Sequence, residues 1–254
     1  MKGKLWVWDL DDTLLFNVHD YAWAITEIPR VIVEALGSMA PHVRVIIDMA
    51  AGIDKQRLHE INPATGELYL YSMERFPGSG VETYREICDK GGIDPDPAVE
   101  ERLYQTGMDA FDESRYRRNI MPGAKGVLEL LAAKGDIQVL LTKGDPRVQE
   151  RKINALREAG LDCFDKIMIV DTKDPAMFRP ITEEFPDLTP ISVGNSYESD
   201  ILPALEAEYL GIYIPLETWE TVGKMDEIKA GVDESRCRIL SNLPEIIAIY
   251  EELL

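Results

Sequence analysis

The chain predicts an α/β protein: a parallel sheet covered by helices on both faces, with an inserted all-helical domain. Three observations carry this reading. Lys4 to Trp8 is a short run of bulky and branched residues that ends in an acidic cluster, as a buried strand does when it reaches a loop. From Met121 onward, strand-like and helix-like segments alternate at short intervals, the pattern of repeated strand–helix units. Between these two parts, Asn17 to Arg118 offers helical spacing and loops with little period-two alternation. The expected division is therefore residues 1–16 and 119–254 as an α/β core, with 17–118 as a helical domain.

The first strand runs into Asp9-Leu10-Asp11-Asp12-Thr13. Three aspartates in four positions repel one another and compete with regular backbone structure, so folding alone gives little reason for them. Asp11-Asp12-Thr13 also reads as a polar turn or helix cap. A divalent cation neutralises such a cluster, and hard cations such as magnesium take carboxylate oxygens. Asp9 would stand at the carboxyl end of its strand, where open parallel sheets bind ligands.

In the helical block, Asp20 to Leu36 carries apolar residues at helical spacing, interrupted by Pro29. Val45–Ala50, Lys55–Ile61 and Leu68–Arg75 follow as short helices, and a Gly-Ser-Gly break separates them from a helix over Val81–Lys90. Pro95–Ser114 gives one more. In the second half, helix Ala124–Lys134 leads to strand Ile137–Leu141, and Thr142-Lys143-Gly144-Asp145-Pro146 opens helix Arg147–Ala159. Strand Lys166–Val170, a short helix, strand Pro190–Val193, helix Ile201–Glu206, strand Leu210–Ile214 and a closing helix Pro244–Leu254 complete the order.

Three further positions can carry chemistry. Thr142 ends a buried strand before a helix start, where its hydroxyl and the N–H groups of Lys143 and Gly144 can hold a phosphate. Lys173 follows another strand end and can compensate an anion beside an aspartate. Lys143 and Lys152 are its rivals, and Lys152 is expected one helical turn too far along to reach the sheet edge. Gly194-Asn195-Ser196 with Asp200 closes a fourth strand and reads alternatively as an Asx turn with a helix cap.

Taken together, Asp9-x-Asp11-x-Thr13, Thr142, Lys173 and Gly194-Asn195…Asp200 resemble the four motifs of the haloacid dehalogenase-like hydrolases, each at a strand end and in family order. The resemblance covers Lys4–Leu15 and about Met121–Ile214. It implies a Rossmann-like core and, from the place of the insert, a mobile helical cap with the active site between sheet and cap. It implies Asp9 as nucleophile, Asp11 as general acid/base, and Thr142 and Lys173 as stabilisers of the transferring phosphoryl group. Magnesium would be held by the Asp9 carboxylate, the Asp11 backbone carbonyl, water and the loop bearing Asn195 and Asp200.

Asn195 departs from the family's usual aspartate there, keeping an oxygen ligand without its charge. Asp11 points away from carbon–halogen cleavage, because members of that branch lack an acid there and a halide needs no proton. A phosphonate hydrolase would need a Schiff-base lysine, for which nothing marks Lys55 or Lys90. The expectation is a magnesium-dependent phosphatase acting on a small phosphorylated metabolite through an aspartyl-phosphate. The alternatives are a phosphomutase and a non-catalytic phospho-ligand-binding relative.

The 254 residues are 45% hydrophobic and 29% charged, an ordinary globular composition, with a formal net charge of −19 and no basic run. That argues against nucleic acid and anionic lipid as partners. Cys88, Cys163 and Cys237 lie far apart without ligand spacing, and His19, His42 and His59 are scattered. These features predict reduced packing cysteines, no zinc site and a cytoplasmic setting.

Overall fold

The computed structural model describes residues 3–218 and 221–253. The chain forms β1 (Lys4–Trp8), then the helices α1 (Val18–Leu36), α2 (Val43–Arg57), α3 (Arg75–Gly91) and α4 (Pro97–Met108). After α5 (Ala124–Ala133) it alternates through β2 (Ile137–Lys143), α6 (Pro146–Glu158), β3 (Lys166–Val170), α7 (Pro175–Glu184) and β4 (Thr189–Gly194). It ends with α8 (Leu202–Glu206), β5 (Leu210–Tyr213), α9 (Met225–Ala230), β6 (Cys237–Ile239) and α10 (Glu245–Ile249).

Among the described residues the strands form one six-stranded sheet in the order β3-β2-β1-β4-β5-β6, every pairing parallel. All residues of β1 are buried, as its central position requires. Side chains alternate between the two faces of the sheet. Trp6, Trp8, Leu140 and Val193 pack with α5, α6 and α10. Leu5, Val7, Val139 and Leu141 pack with Phe178 and Ile181 of α7 and Ala204 of α8.

The chain divides into two compact units, Met1–Val18 with Glu113–Leu254, and His19–Asp112. The second junction lies ahead of the expected residue 119 because Tyr116, in a 3₁₀ turn over Glu113–Asn119, is fully buried in the core of the first unit. The helical unit has its own core around Ile28, Ile32, Ile46, Tyr84, Ile87 and Leu103.

Within that unit the expected breaks are largely absent. Helix α1 continues through Pro29, and α2 absorbs Val45–Ala50 and the first part of Lys55–Ile61. Helix α3 runs straight through Gly78-Ser79-Gly80. Its buried stripe, Val81, Tyr84, Ile87 and Cys88, outweighs the poor helix propensity of the two glycines. Ser79 Oγ bonds back to the Arg75 carbonyl at 2.8 Å and Arg57 holds the Gly78 carbonyl at 3.3 Å. Leu68–Arg75 is not helical: Leu68 bridges Ile61 in an antiparallel contact, and Leu70 takes a positive φ of 42°.

At the other end of the chain, the expected closing helix is α10 followed by a 3₁₀ turn over Tyr250–Glu252, and Leu254 lies outside the described residues. The turn delivers Tyr250 to the amino ends of β1 and β2. There Asp136 accepts from Lys4 N at 3.0 Å, Trp6 Nε1 at 3.0 Å and the Tyr250 hydroxyl at 2.9 Å. The Lys4 and Lys134 ammonium groups lie 4.0 and 4.2 Å from the centroid of the Tyr250 ring. Cys88 and Cys237 are buried, Cys163 is half-buried, and all three are free thiols. No helix among the described residues is long and apolar enough to cross a membrane.

Candidate active site

The strand order places β1 between β2 and β4, where the order reverses, and in open parallel sheets ligands bind at the carboxyl ends of such strands. Asp9 is the first residue beyond β1, and its N–H still bonds the Val193 carbonyl of β4 at 2.9 Å. The carboxylate is buried. Thr13 Oγ1 donates to Asp9 Oδ2 at 2.9 Å, and Lys173 Nζ donates to Oδ1. The same ammonium donates to Asp200 Oδ1 at 2.8 Å, while Asp200 Oδ2 accepts from Ser196 N at 2.9 Å.

One buried cation thus serves two buried carboxylates. Burial first, and the charge of Asp200 second, push the Asp9 carboxyl up to about 7 against the opposing pull of Lys173. Burial works to lower Lys173, but Asp200 and Asp9 more than reverse it and hold the ammonium above its usual range.

Asp12 takes the helix-cap role that the sequence allowed for the cluster. It adopts a positive φ of 61°, and its Oδ1 accepts from Asn17 N at 2.7 Å and Val18 N at 2.9 Å, closing the first turn of α1. Asp11 is left to another task. Its Oδ1 accepts from Lys152 Nζ at 2.6 Å and its Oδ2 from Gln149 Nε2 at 2.8 Å.

The expectation that Lys152 lies too far along its helix is overturned. Lys152 is only 2% exposed, and its long side chain runs along α6 to Asp11 and to Asn17 Oδ1 at 2.9 Å. The sequence carried a signal for it. Lys152 stands four residues after Val148 and four before Leu156, on the apolar stripe of α6, where a charge requires a buried partner. Gln149, three residues earlier on the same stripe, is likewise buried.

Thr142, fully buried in β2 beside β1, has a hydroxyl without a hydrogen-bond partner among the described residues. A buried polar group left unsatisfied is costly, and an anion at the strand end would satisfy it. Lys143 Nζ reaches Ser199 Oγ at 3.5 Å. Gly144 differs from expectation, since its N–H points to the Val170 carbonyl at 3.3 Å. Its place there has a steric reason: a Cβ would lie 2.5 Å from Gln149 Nε2, and φ is +149°.

The fourth motif is a loop folded onto one residue. Gly194 is held so close to Asp200 that a Cβ would lie 2.4 Å from the Asp200 carboxylate. A single π turn over Tyr197–Ile201 follows, with the Asp200 carbonyl accepting from Ser192 Oγ at 2.8 Å. Asn195 Oδ1 accepts a long 3.4 Å bond from Thr13 Oγ1, so its oxygen faces the Asp9 side. Among the described residues no three His, Cys, Asp or Glu side chains form a ready metal cluster. The donor set open to a cation here would be the Asp9 and Asp200 carboxylates, the Asn195 amide oxygen and the Asp11 backbone carbonyl. It is all oxygen with an excess of negative charge, which fits a hard divalent cation.

By sequence the chain matches no protein-family model and no curated protein. Solved structures do match over its full length. A haloacid dehalogenase-like family hydrolase of Xanthomonas campestris superposes with a TM-score of 0.69 at 22% identity, covering 100% of this chain and 97% of that one. A Bacillus subtilis protein described as a HAD-hydrolase, bound to magnesium, gives 0.56 at 17% identity over 98% and 99%. A 2-haloacid dehalogenase of Pseudomonas syringae gives 0.55 at 18% over 99% of each.

Proposed function

We propose that this chain, which has the fold of the haloacid dehalogenase-like hydrolases, is a magnesium-dependent phosphatase of small phosphorylated metabolites. The observation that carries the reading is the Asp11 carboxylate, held by Lys152 and Gln149 two residues beyond a buried Asp9. A carbon–halogen substrate has no use for an acid at that place, whereas an alkoxide leaving group needs a proton.

Asp9 attacks phosphorus and the ester P–O bond breaks, leaving an aspartyl-phosphate. Asp11 gives its proton to the departing oxygen. It then takes a proton from the water that attacks the phosphorus and frees Asp9 and inorganic phosphate. Lys173 and the Thr142 hydroxyl stabilise the phosphoryl oxygens through the transfer. Asp9, Asp200, Asn195 and the Asp11 carbonyl would hold magnesium, which would supply charge neutralisation at the phosphoryl group.

Hydrolysis of p-nitrophenyl phosphate and a panel of small phosphate esters, with and without magnesium, tests the reading. Magnesium-dependent release of phosphate is expected. Release of halide from 2-haloacids with no phosphatase activity would overturn it. A phosphomutase shares this geometry and is recognised by transfer to a second hydroxyl in place of water.

A further inference from the structure

Lys152 and Gln149 sit outside the four motifs, yet both are buried and both end on the carboxylate that the proposed reaction uses for proton transfer. Placing an ammonium in the interior is costly unless geometry and hydrogen bonding offset it. An apolar residue would fill the same stripe of α6 without that cost. Each donor takes a different oxygen of Asp11, so both side-chain torsions of the carboxylate are fixed at once. Each carboxylate oxygen has two lone pairs, so a site for the mobile proton remains.

The two donors are themselves tethered. Gln149 Nε2 also bonds the Lys143 carbonyl at 3.0 Å, at the end of β2 next to Thr142. Lys152 Nζ also bonds Asn17 Oδ1 at 2.9 Å, and Asn17 N is held by Asp12. The carboxylate is therefore indexed to the strand end that carries Thr142 and to the loop that carries Asp9.

We propose that Lys152 and Gln149 are positioning residues that hold Asp11 in the rotamer from which it protonates the leaving group and activates water. The proposal rests on the phosphatase reading for its chemistry, but not for its geometry. Losing the hold leaves Asp11 in place as an acid with its direction unset, so the loss grows with the need of the leaving group for a proton.

The test compares wild type, Lys152→Met and Lys152→Gln on phosphate esters of substituted phenols and simple alcohols, reading kcat/KM with magnesium. The phosphorylation step governs kcat/KM, and nitrophenolates leave without protonation. Loss on alkyl and unsubstituted phenyl esters is expected to exceed loss on nitrophenyl esters by about 10–10²-fold, part of the range of general acid catalysis. Lys152→Gln, which keeps a donor, is expected to recover part of it. Equal losses on all esters, or none, would overturn the proposal.

A second readout needs no turnover. In thermal melts of Lys152→Met, Asp11→Asn and the double variant, the second substitution should cost less once the first is made. Additive changes in Tm would mean that Lys152 does not act on Asp11. A wild type that hydrolyses no ester would defeat the phosphatase reading, while the melts would still decide the pairing.

Discussion

The two ends of the central strands both bury carboxylates, and they treat them in opposite ways. At the amino ends, both Asp136 oxygens are occupied: Lys4 N and Trp6 Nε1 each take one, and the Tyr250 hydroxyl lies within 3.1 Å of both. At the carboxyl ends, Lys173 is shared between Asp9 and Asp200, the Asp9 carboxyl is pushed up to about 7, and the Thr142 hydroxyl has no partner among the described residues. The first arrangement is complete as it stands and serves stability. The second holds charge and donors in surplus, the condition of a site built to be completed by a ligand.

The largest effect should separate the two ends outright. Asp9→Asn removes the attacking charge with almost no change in shape, and turnover should fall on the order of 10⁴–10⁶-fold. Circular dichroism should show the fold intact; near-wild-type hydrolysis would end the nucleophile assignment. Asp136→Ala is the mirror experiment. It orphans donors at roughly 1–3 kcal/mol each, so Tm should drop steeply while activity per folded molecule stays the same. A stable Asp136→Ala protein would erase the contrast between the ends.

Thr142→Val sharpens the comparison, because it deletes a hydroxyl that has no partner to lose among the described residues. Tm should hold or rise, and inhibition by inorganic phosphate should weaken about tenfold or more, as for a hydrogen bond to a charged group. A Tm that falls by several degrees would show that the hydroxyl is already satisfied. Within the fourth motif, Asp200→Ala removes a charge and Asn195→Ala only a dipole. The magnesium concentration for half-maximal activity should therefore rise more in the first. The reverse order would move the metal's anchor to Asn195.

The smallest effect is a pH trend in metal-free protein. Because the folded Asp9 carboxyl lies above its ordinary value of 3.8, at about 7, the native state holds more protons between those values. Stability should then fall as pH rises through that window, with the penalty fully present above it. Asp9→Asn is exempt, so its Tm relative to wild type should be a few degrees more favourable at pH 8 than at pH 5. An equal difference at both values would show that Asp9 titrates normally.

Much of the core was legible because buried parallel strands write themselves as short apolar runs between turn residues: β1 and β3 lie where the sequence puts them, and β2, β4 and β5 differ only at their ends. Strand β6 and helix α9 were not read. Cys237-Arg238-Ile239 is three residues long with its middle residue exposed, too short for any periodicity to register. The helical unit has fewer breaks than its sequence suggests, because packing overrides the local glycine and proline signals. At the site, the motif residues Asp9, Lys173 and Asp200 converge as expected from their strand ends. Lys152, a rival to Lys173 in the sequence and expected one helical turn too far along, reaches Asp11 because a lysine stem is long, and its place on an apolar stripe is the stronger sign.

The position of β1 has a consequence for how the protein is made. It is a central strand in the finished sheet, yet it precedes the strands it pairs with by more than a hundred residues, since its neighbours begin only at Ile137 and Thr189. Until those residues leave the ribosome, Leu5, Trp6, Val7 and Trp8 have no edges to pair with. At about 5–20 residues per second, that wait lasts on the order of ten seconds. During it, the helical unit His19–Asp112, whose core draws only on its own residues, can assemble, while the first strand stays a sticky, unpaired ribbon.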